Sequence, residues 1–242
     1  MMDSRIPRYV AIEGVIGVGK TTLAKMLAER FHAKRVNEEV EANPFLSKFY
    51  SDRRAYAFQT QIFFLLSRYK QQQGILQQDL FGQQIVSDYL FAKDKVFAYL
   101  NLDQNEIALY ENLWKLLEPG IVKPDLVVYL QAEIDLLSRR IKERGRPFEH
   151  NLSRDYLAEL SEAYNHFFFN YTETPLLVVN VNQIDLVNHP EDFEDLVQKI
   201  CQPHPGTRYY VPAGTKKDRK KPKPSFAKAT ADEPKEQNLL PE

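Results

Sequence analysis

The sequence predicts one α/β domain, a five-stranded parallel sheet with helices on both faces, and three observations carry that expectation. Five short apolar or β-branched runs recur between longer helical segments: Tyr9 to Glu13, Lys34 to Val40, Gln84 to Tyr89, Asp125 to Gln131 and Leu176 to Val181. Gly14-Val15-Ile16-Gly17-Val18-Gly19-Lys20-Thr21-Thr22 follows the first run directly, as a complete phosphate-binding loop. The chain has 242 residues, 43% hydrophobic and 27% charged, enough for one well-buried domain but not for a second catalytic one.

The first strand and its loop specify a chemistry. Gly14, Gly17 and Gly19 let backbone N–H groups turn onto phosphate oxygens, and Lys20 can neutralise charge on the β and γ phosphates. The Thr21 hydroxyl can join the shell of a Mg²⁺, and Thr22 continues the same turn. A helix beginning near Lys20, with Leu23, Met26 and Leu27 on its apolar side, aims its positive end at the same anion. Nucleotide phosphates and Mg²⁺ are therefore the expected ligands, and the P-loop NTPase fold is the expected fold; the loop alone does not choose between ATP and another nucleoside triphosphate.

Between the second and third runs, Tyr56, Phe58, Ile62, Phe63, Leu65, Leu66 and Tyr69 repeat at helical spacing and predict a mostly buried helix. Further helices are predicted over Gln104 to Leu117, stopped by Glu118-Pro119-Gly120, over Ile134 to Arg144, and over Leu152 to Phe169. Composition changes at Pro203. Residues 1–203 form the expected domain, and residues 204–242, with the basic run Lys216 to Pro224, read as a disordered tail unable to offset chain entropy by burial.

Composition also excludes functions. A net charge of −1 argues against a general nucleic-acid binder and leaves only the basic tail for such a contact. The single cysteine, Cys201, rules out an internal disulfide framework and fits a reducing compartment. His32, His150, His166, His189 and His204 lack ligand spacing. No apolar run reaches the length of a membrane span, and Met1-Met2-Asp3-Ser4-Arg5 lacks a signal-peptide core, so the expected location is the cytoplasm.

With Ile12-Glu13-Gly14 entering the loop, and Glu38-Glu39-Val40-Glu41-Ala42-Asn43-Pro44 closing the second run, the chain resembles the deoxynucleoside kinase family, in particular its bacterial deoxyadenosine and deoxyguanosine kinases. The resemblance implies transfer of a nucleoside triphosphate's γ-phosphoryl group to the 5′-hydroxyl of a deoxynucleoside, purine favoured, by a homodimer. Matching on Val40 and Asn43-Pro44 puts the catalytic base at Glu38, with Glu39 the alternative one residue on. Tyr50 and Glu149 take the positions that contact the sugar 3′-hydroxyl, and Gln61, Arg68 and Asp94 those that address the nucleobase. Gln61 and Arg68, close to two helical turns apart, share a face. Arg140, Arg144 and Arg146 match an arginine-rich lid over the phosphates. Asp88 matches the carboxylate that holds Mg²⁺, but Tyr89 stands where the family has an arginine, leaving the acceptor end to the lid. The resemblance spans roughly residues 8 to 185, with Asn180-Val181-Asn182 near the donor adenine.

Two rivals stay open. A nucleoside monophosphate kinase would need a second phosphate site, for which Arg53 and Arg54 are available. A silent nucleotide-binding module would act through a partner, but the joint presence of Lys20, Thr21, Glu38 and Asp88 argues against it.

Overall fold

Strand β1 (Tyr9–Gly14) is buried along its whole length, as an apolar run in the middle of a helix-covered parallel sheet must be. The structure, a computed structural model, describes residues 6–79 and 82–211. The other strands are β2 (Lys34–Val36), β3 (Ile85–Ser87), β4 (Leu126–Gln131), β5 (Leu176–Asn180) and β6 (Thr207–Tyr210). Their order is β2-β3-β1-β4-β5-β6, and every adjacent pair is parallel. The connection leaving β1 runs to one side of the sheet, while the one leaving β3 passes to β4 on the other. The crevice at the carboxyl ends of β1 and β3 is thus the topological switch point, where such folds bind ligands.

Among the described residues the sheet has six strands, where the sequence predicts five. The added strand lies in the segment read as tail. Thr207-Arg208-Tyr209-Tyr210 is a β-branched and aromatic run that completes the free edge of β5, with Leu176 opposite Thr207 and Val179 opposite Tyr210. Tyr210 packs on the main core while Tyr209 stays exposed, the alternation of an edge strand. The folded chain therefore continues past Pro203 to at least Tyr210. The basic run Lys216 to Pro224 falls outside the described residues.

The helices are α1 (Lys20–Phe31), α2 (Leu46–Ser51), α3 (Arg53–Asp79), α4 (Asp94–Asn101), α5 (Gln104–Leu117), α6 (Ile134–Arg144), α7 (Arg154–Phe169) and α8 (Pro190–Ile200). Local chemistry sets several of their ends. Asp103 and Glu106 form a reciprocal capping box at the start of α5. Ser153 accepts from the Tyr156 N–H at 3.1 Å to open α7. Gly145, at φ 64°, closes α6 in the left-handed conformation that favours glycine.

Burial divides into two clusters. One surrounds the sheet, from Val10 and Leu27 to Leu177 and Leu196. The other joins α2, α3, α4, α5 and α7 through Phe49, Leu65, Trp114 and Tyr156, with the Phe91 and Trp114 rings 4.9 Å apart. The helix predicted over Tyr56 to Tyr69 is the middle of α3. It is more exposed than expected, since Leu65 is fully buried but Leu66 is half exposed. Successive positions on a helix point about 100° apart, so such neighbours cannot share one face.

Candidate active site

The phosphate loop is held by backbone geometry that only glycine tolerates. Gly14 has φ +150°, and a Cβ there would stand 2.5 Å from the Leu130 carbonyl oxygen; at Gly17 it would meet Ile141 Cγ1 at 2.7 Å. Gly19 precedes α1 without a side chain to cap it, and no acid occupies the first turn, so the opening N–H groups are left to an incoming anion. Lys20 Nζ donates to the Gly14 carbonyl at 2.7 Å and the Val15 carbonyl at 3.3 Å. Burial and then the charge of Lys93 pull its pKa down to about 8, against the nearby carboxylates of Glu13, Glu38 and Asp88.

Asp88 follows β3 directly and therefore reaches the mouth of the same crevice. Its Oδ2 accepts from the Thr21 hydroxyl at 2.6 Å, and its Oδ1 accepts from the Glu38 N–H at 2.7 Å. Among the described residues no three His, Cys, Asp or Glu gather into a metal site. A hydroxyl beside one carboxylate nonetheless fits Mg²⁺, an ion that keeps waters and takes its remaining ligands from substrate phosphates.

Below this point lies a cavity between the loop after β2 and the helices α2, α3 and α7, lined by Glu38, Tyr50, Gln61, Arg68, Glu149 and the apolar Val40, Phe49 and Phe64. Gln61, Arg68, Glu38 and Lys93 of its wall are joined with Asp94 behind it into one chain of polar contacts. Gln61 Nε2 donates to Asp94 Oδ1 at 2.5 Å and to its backbone carbonyl at 2.9 Å. Arg68 Nη1 pairs with Asp94, its Nε donates to Glu38 Oε1 at 2.8 Å, and its Nη2 engages that same oxygen. Lys93 Nζ holds the other carboxylate oxygen, Oε2, at 2.8 Å.

Burial alone would push the Glu38 carboxyl up, but Lys93 and Arg68 outweigh it and hold the group well below the usual carboxylate range. Burial likewise opposes the Arg68 charge, and Glu38 and Asp94 together keep it. Glu39, the alternative, is exposed and accepts only a long 3.4 Å bond from Ser67. The register that selects Glu38 is therefore the one that faces the cavity.

Tyr50 and Glu149 line the cavity from neighbouring elements, α2 and the short turn Pro147–Glu149. Burial, Tyr156 and Glu149 push the Tyr50 phenol well above its ordinary value, so it is a neutral hydroxyl. Glu149 is buried; its Oε1 accepts from Arg144 Nη2 at 2.5 Å, while Oε2 has no protein partner. A buried carboxylate oxygen left unpaired in a pocket wall is a site for an incoming donor such as a hydroxyl.

A second cleft lies on the outer side of the loop, lined by Gly17, Gly19, Lys20, Thr21, Thr22, Arg140, Arg144, Arg146 and residues Ile184 to Asn188. Arg140 Nη1 donates to the Val18 carbonyl at 2.8 Å, fastening α6 to the loop. Arg146 reaches Glu41 at 3.6 Å across the mouth. The two clefts share Gly17, Lys20, Thr21, Arg144 and Arg146. Val181 lines the outer cleft, but Asn180 and Asn182 do not.

Two residues escaped the sequence reading. Glu13 is fully buried and ties the end of β1 to the end of β3, accepting from the Gly14 N–H at 2.9 Å, the Leu90 N–H at 2.7 Å and the Tyr164 hydroxyl at 3.1 Å. Its signal was a carboxylate inside an apolar run. Lys93 is the other, a lone cation in Leu90-Phe91-Ala92-Lys93. Tyr89 is buried and outside both clefts. Arg53 pairs with Glu159 at 3.2 Å and covers the Tyr156 ring, away from the cavity.

Residues 10–204 match the family model described as deoxynucleoside kinase. The chain is 36% identical over 197 residues to the deoxyguanosine kinase of Bacillus subtilis, covering 79% of this chain and 95% of that one. It is 32% identical over 211 residues to the deoxyadenosine/deoxycytidine kinase of the same organism, covering 83% and 96%. Among solved structures, deoxyadenosine kinase from M. mycoides with the products dCMP and a flexible dCDP bound superposes with a TM-score of 0.69 at 27% identity, covering 79% of this chain and 98% of that one.

Proposed function

The chain belongs to the deoxynucleoside kinase family, and on that premise we propose that it transfers the γ-phosphoryl group of ATP to the 5′-hydroxyl of a deoxynucleoside, purine favoured, releasing the monophosphate. The observation that carries this reading is the meeting of two clefts at Lys20, Thr21, Arg144 and Arg146. A donor phosphate tail in the outer cleft and an acceptor hydroxyl in the inner cavity would approach one another there. Relatives named deoxyguanosine and deoxyadenosine kinases support the purine preference.

In this reading the loop N–H groups and Lys20 hold the β and γ phosphates. Thr21 and Asp88 would hold Mg²⁺, which supplies charge that offsets that of the phosphates. Glu38 takes the proton of the 5′-hydroxyl as its oxygen bonds to the γ phosphorus and the bond to the β-bridging oxygen breaks. A carboxylate held ionised by two cations is a weak base, which suffices because the proton leaves late in a loose transition state. Arg140, Arg144 and Arg146 offset the charge on the moving phosphoryl group. Tyr50 and Glu149 position the sugar through its 3′-hydroxyl, and Gln61, Arg68 and Asp94 read the base.

Arg53 engages Glu159 and Tyr156, and neither it nor Arg54 lines the inner cavity, which disfavours a monophosphate kinase that would use them to hold an acceptor phosphate. A homodimer would draw on the exposed Leu66 of α3 and Leu109 and Leu116 of α5, and sedimentation of the purified chain tests it. Among the described residues no helix is long and apolar enough to cross a membrane. The deciding experiment offers deoxyadenosine, deoxyguanosine, deoxycytidine, thymidine and thymidine monophosphate separately with ATP and Mg²⁺. Turnover highest on the purine deoxynucleosides is expected, and turnover confined to thymidine monophosphate would overturn the reading.

A further inference from the structure

The end of β3 lacks a cation. Asp88 there faces Thr21 and Glu38, but the next side chain, Tyr89, is fully buried and lines neither cleft. Four residues on, a short 3₁₀ turn (Phe91–Lys93) carries a lysine back toward the same point. Lys93 is only 2% exposed and sits in the wall of the inner cavity. An ammonium taken out of water at that depth costs several kcal/mol unless it is paired.

Its pairing is informative. Glu13 stands 3.8 Å away and is already satisfied by two backbone N–H groups and the Tyr164 hydroxyl. The short contact, 2.8 Å, goes to Glu38 Oε2. Arg68 holds the other oxygen of that carboxylate. One cation on each oxygen fixes both the position and the plane of the group, which a single ion pair would leave free to turn about its last torsion. The Glu38 backbone is anchored separately, through its N–H on Asp88.

We propose that Lys93 is the positioning residue for Glu38, supplying from the 3₁₀ turn the cation that the end of β3 does not carry. The inference rests on Glu38 being the proton acceptor. It is specific about the step affected, since Lys93 acts on the orientation of the acceptor and not on the grip on the nucleoside.

The test is a double-mutant cycle read by steady-state kinetics on deoxyguanosine and deoxyadenosine with ATP and Mg²⁺. Lys93→Met keeps the stem and removes the charge. It should lower kcat by about 10- to 100-fold with nucleoside KM held within about twofold. Lys93→Arg, which restores a cation, should recover most of that kcat. In a Glu38→Gln background, Lys93→Met should cost less than about twofold more, because groups that act as a unit are not additive. An equal loss from Lys93→Met in both backgrounds, an unchanged kcat, or no recovery with arginine would each overturn the inference. If Glu38→Gln alone leaves kcat intact, the reading of Glu38 falls, a result separable from additivity at Lys93. Should Lys93→Met fail to fold, Lys93→Gln against Lys93→Arg decides: equal kcat in the two overturns it, and a loss confined to Gln supports it.

Discussion

Replacing Asp94 by Asn keeps the shape of the side chain and removes its charge. Asp94 is fully buried at the start of α4, and its two carboxylate oxygens serve Arg68 and Gln61 separately, the second at 2.5 Å. A hydrogen bond to a charged group contributes roughly 1.5–3 kcal/mol. The substitution weakens two, but Gln61 keeps its 2.9 Å bond to the Asp94 backbone carbonyl and Arg68 keeps Glu38. Arg68 is therefore not stranded, and the cost should fall near 2–4 kcal/mol, below the roughly 3–5 kcal/mol typical of leaving a buried charge alone. At about 1.36 kcal/mol per tenfold, that is a fall of about 30- to 1,000-fold in kcat/KM. The assay measures kcat and KM separately, as well as their ratio, on deoxyadenosine, deoxyguanosine, deoxycytidine and thymidine at saturating ATP and Mg²⁺. Purines should lose at least about tenfold more than thymidine, since a buried set of donors and acceptors rejects a base that leaves them unpaired. A uniform loss across the four, or none, would refute the argument that Asp94 reads the base. Melting temperature serves as the control, because Asp94 also faces the positive end of α4.

Glu38→Gln should lower kcat by about 10² to 10⁴, the usual contribution of a general base, with nucleoside binding nearly intact by calorimetry; the same loss from Glu39→Gln instead would move the acceptor by one residue. Lys20→Ala should weaken both ATP affinity and turnover, since the charge faces the phosphates in ground and transition states alike, and full activity in this variant would sink the kinase mechanism. Thr21→Ala should raise the Mg²⁺ concentration needed for half-maximal rate, and an unchanged Mg²⁺ curve would remove Thr21 from the ion's shell. Ending the chain after Pro203 should lower the melting temperature relative to ending it after Val211, by about 2–4 °C for each kcal/mol that β6 contributes; equal melting of the two would show that β6 adds nothing.

The parts of the fold that could be read are those in which periodicity and punctuation agree. β1 and its loop are legible because a buried run meets three glycines, and α5 and α6 because capping or stop residues bracket a clean helical repeat. The second apolar run extends to Val40, but β2 ends at Val36, since Val40 packs instead on the helical cluster over the cavity. β6 was missed for a related reason. A four-residue edge strand flanked by prolines and lysines contributes too little hydrophobic signal to outweigh the composition around it, and its order comes from pairing with β5, a long-range fact.

The site divides along the same line. Family resemblance singles out Gln61, Arg68 and Asp88, and helical spacing adds only that Gln61 and Arg68 share one face. That Arg68 would serve Glu38 as well as Asp94 was not legible, because the two carboxylates come from different connections and converge only through the sheet order. This sharing has a consequence for any substitution in the set. Removing Asp94 leaves Arg68 free to shift toward Glu38, and removing Glu38 leaves Arg68 to Asp94, so neither single change isolates one pair. A measurement confined to kcat/KM would then mix base reading with proton acceptance. Only kcat and KM taken separately, on cognate and non-cognate nucleosides, can assign a loss to the base side or to the acceptor side of that one guanidinium.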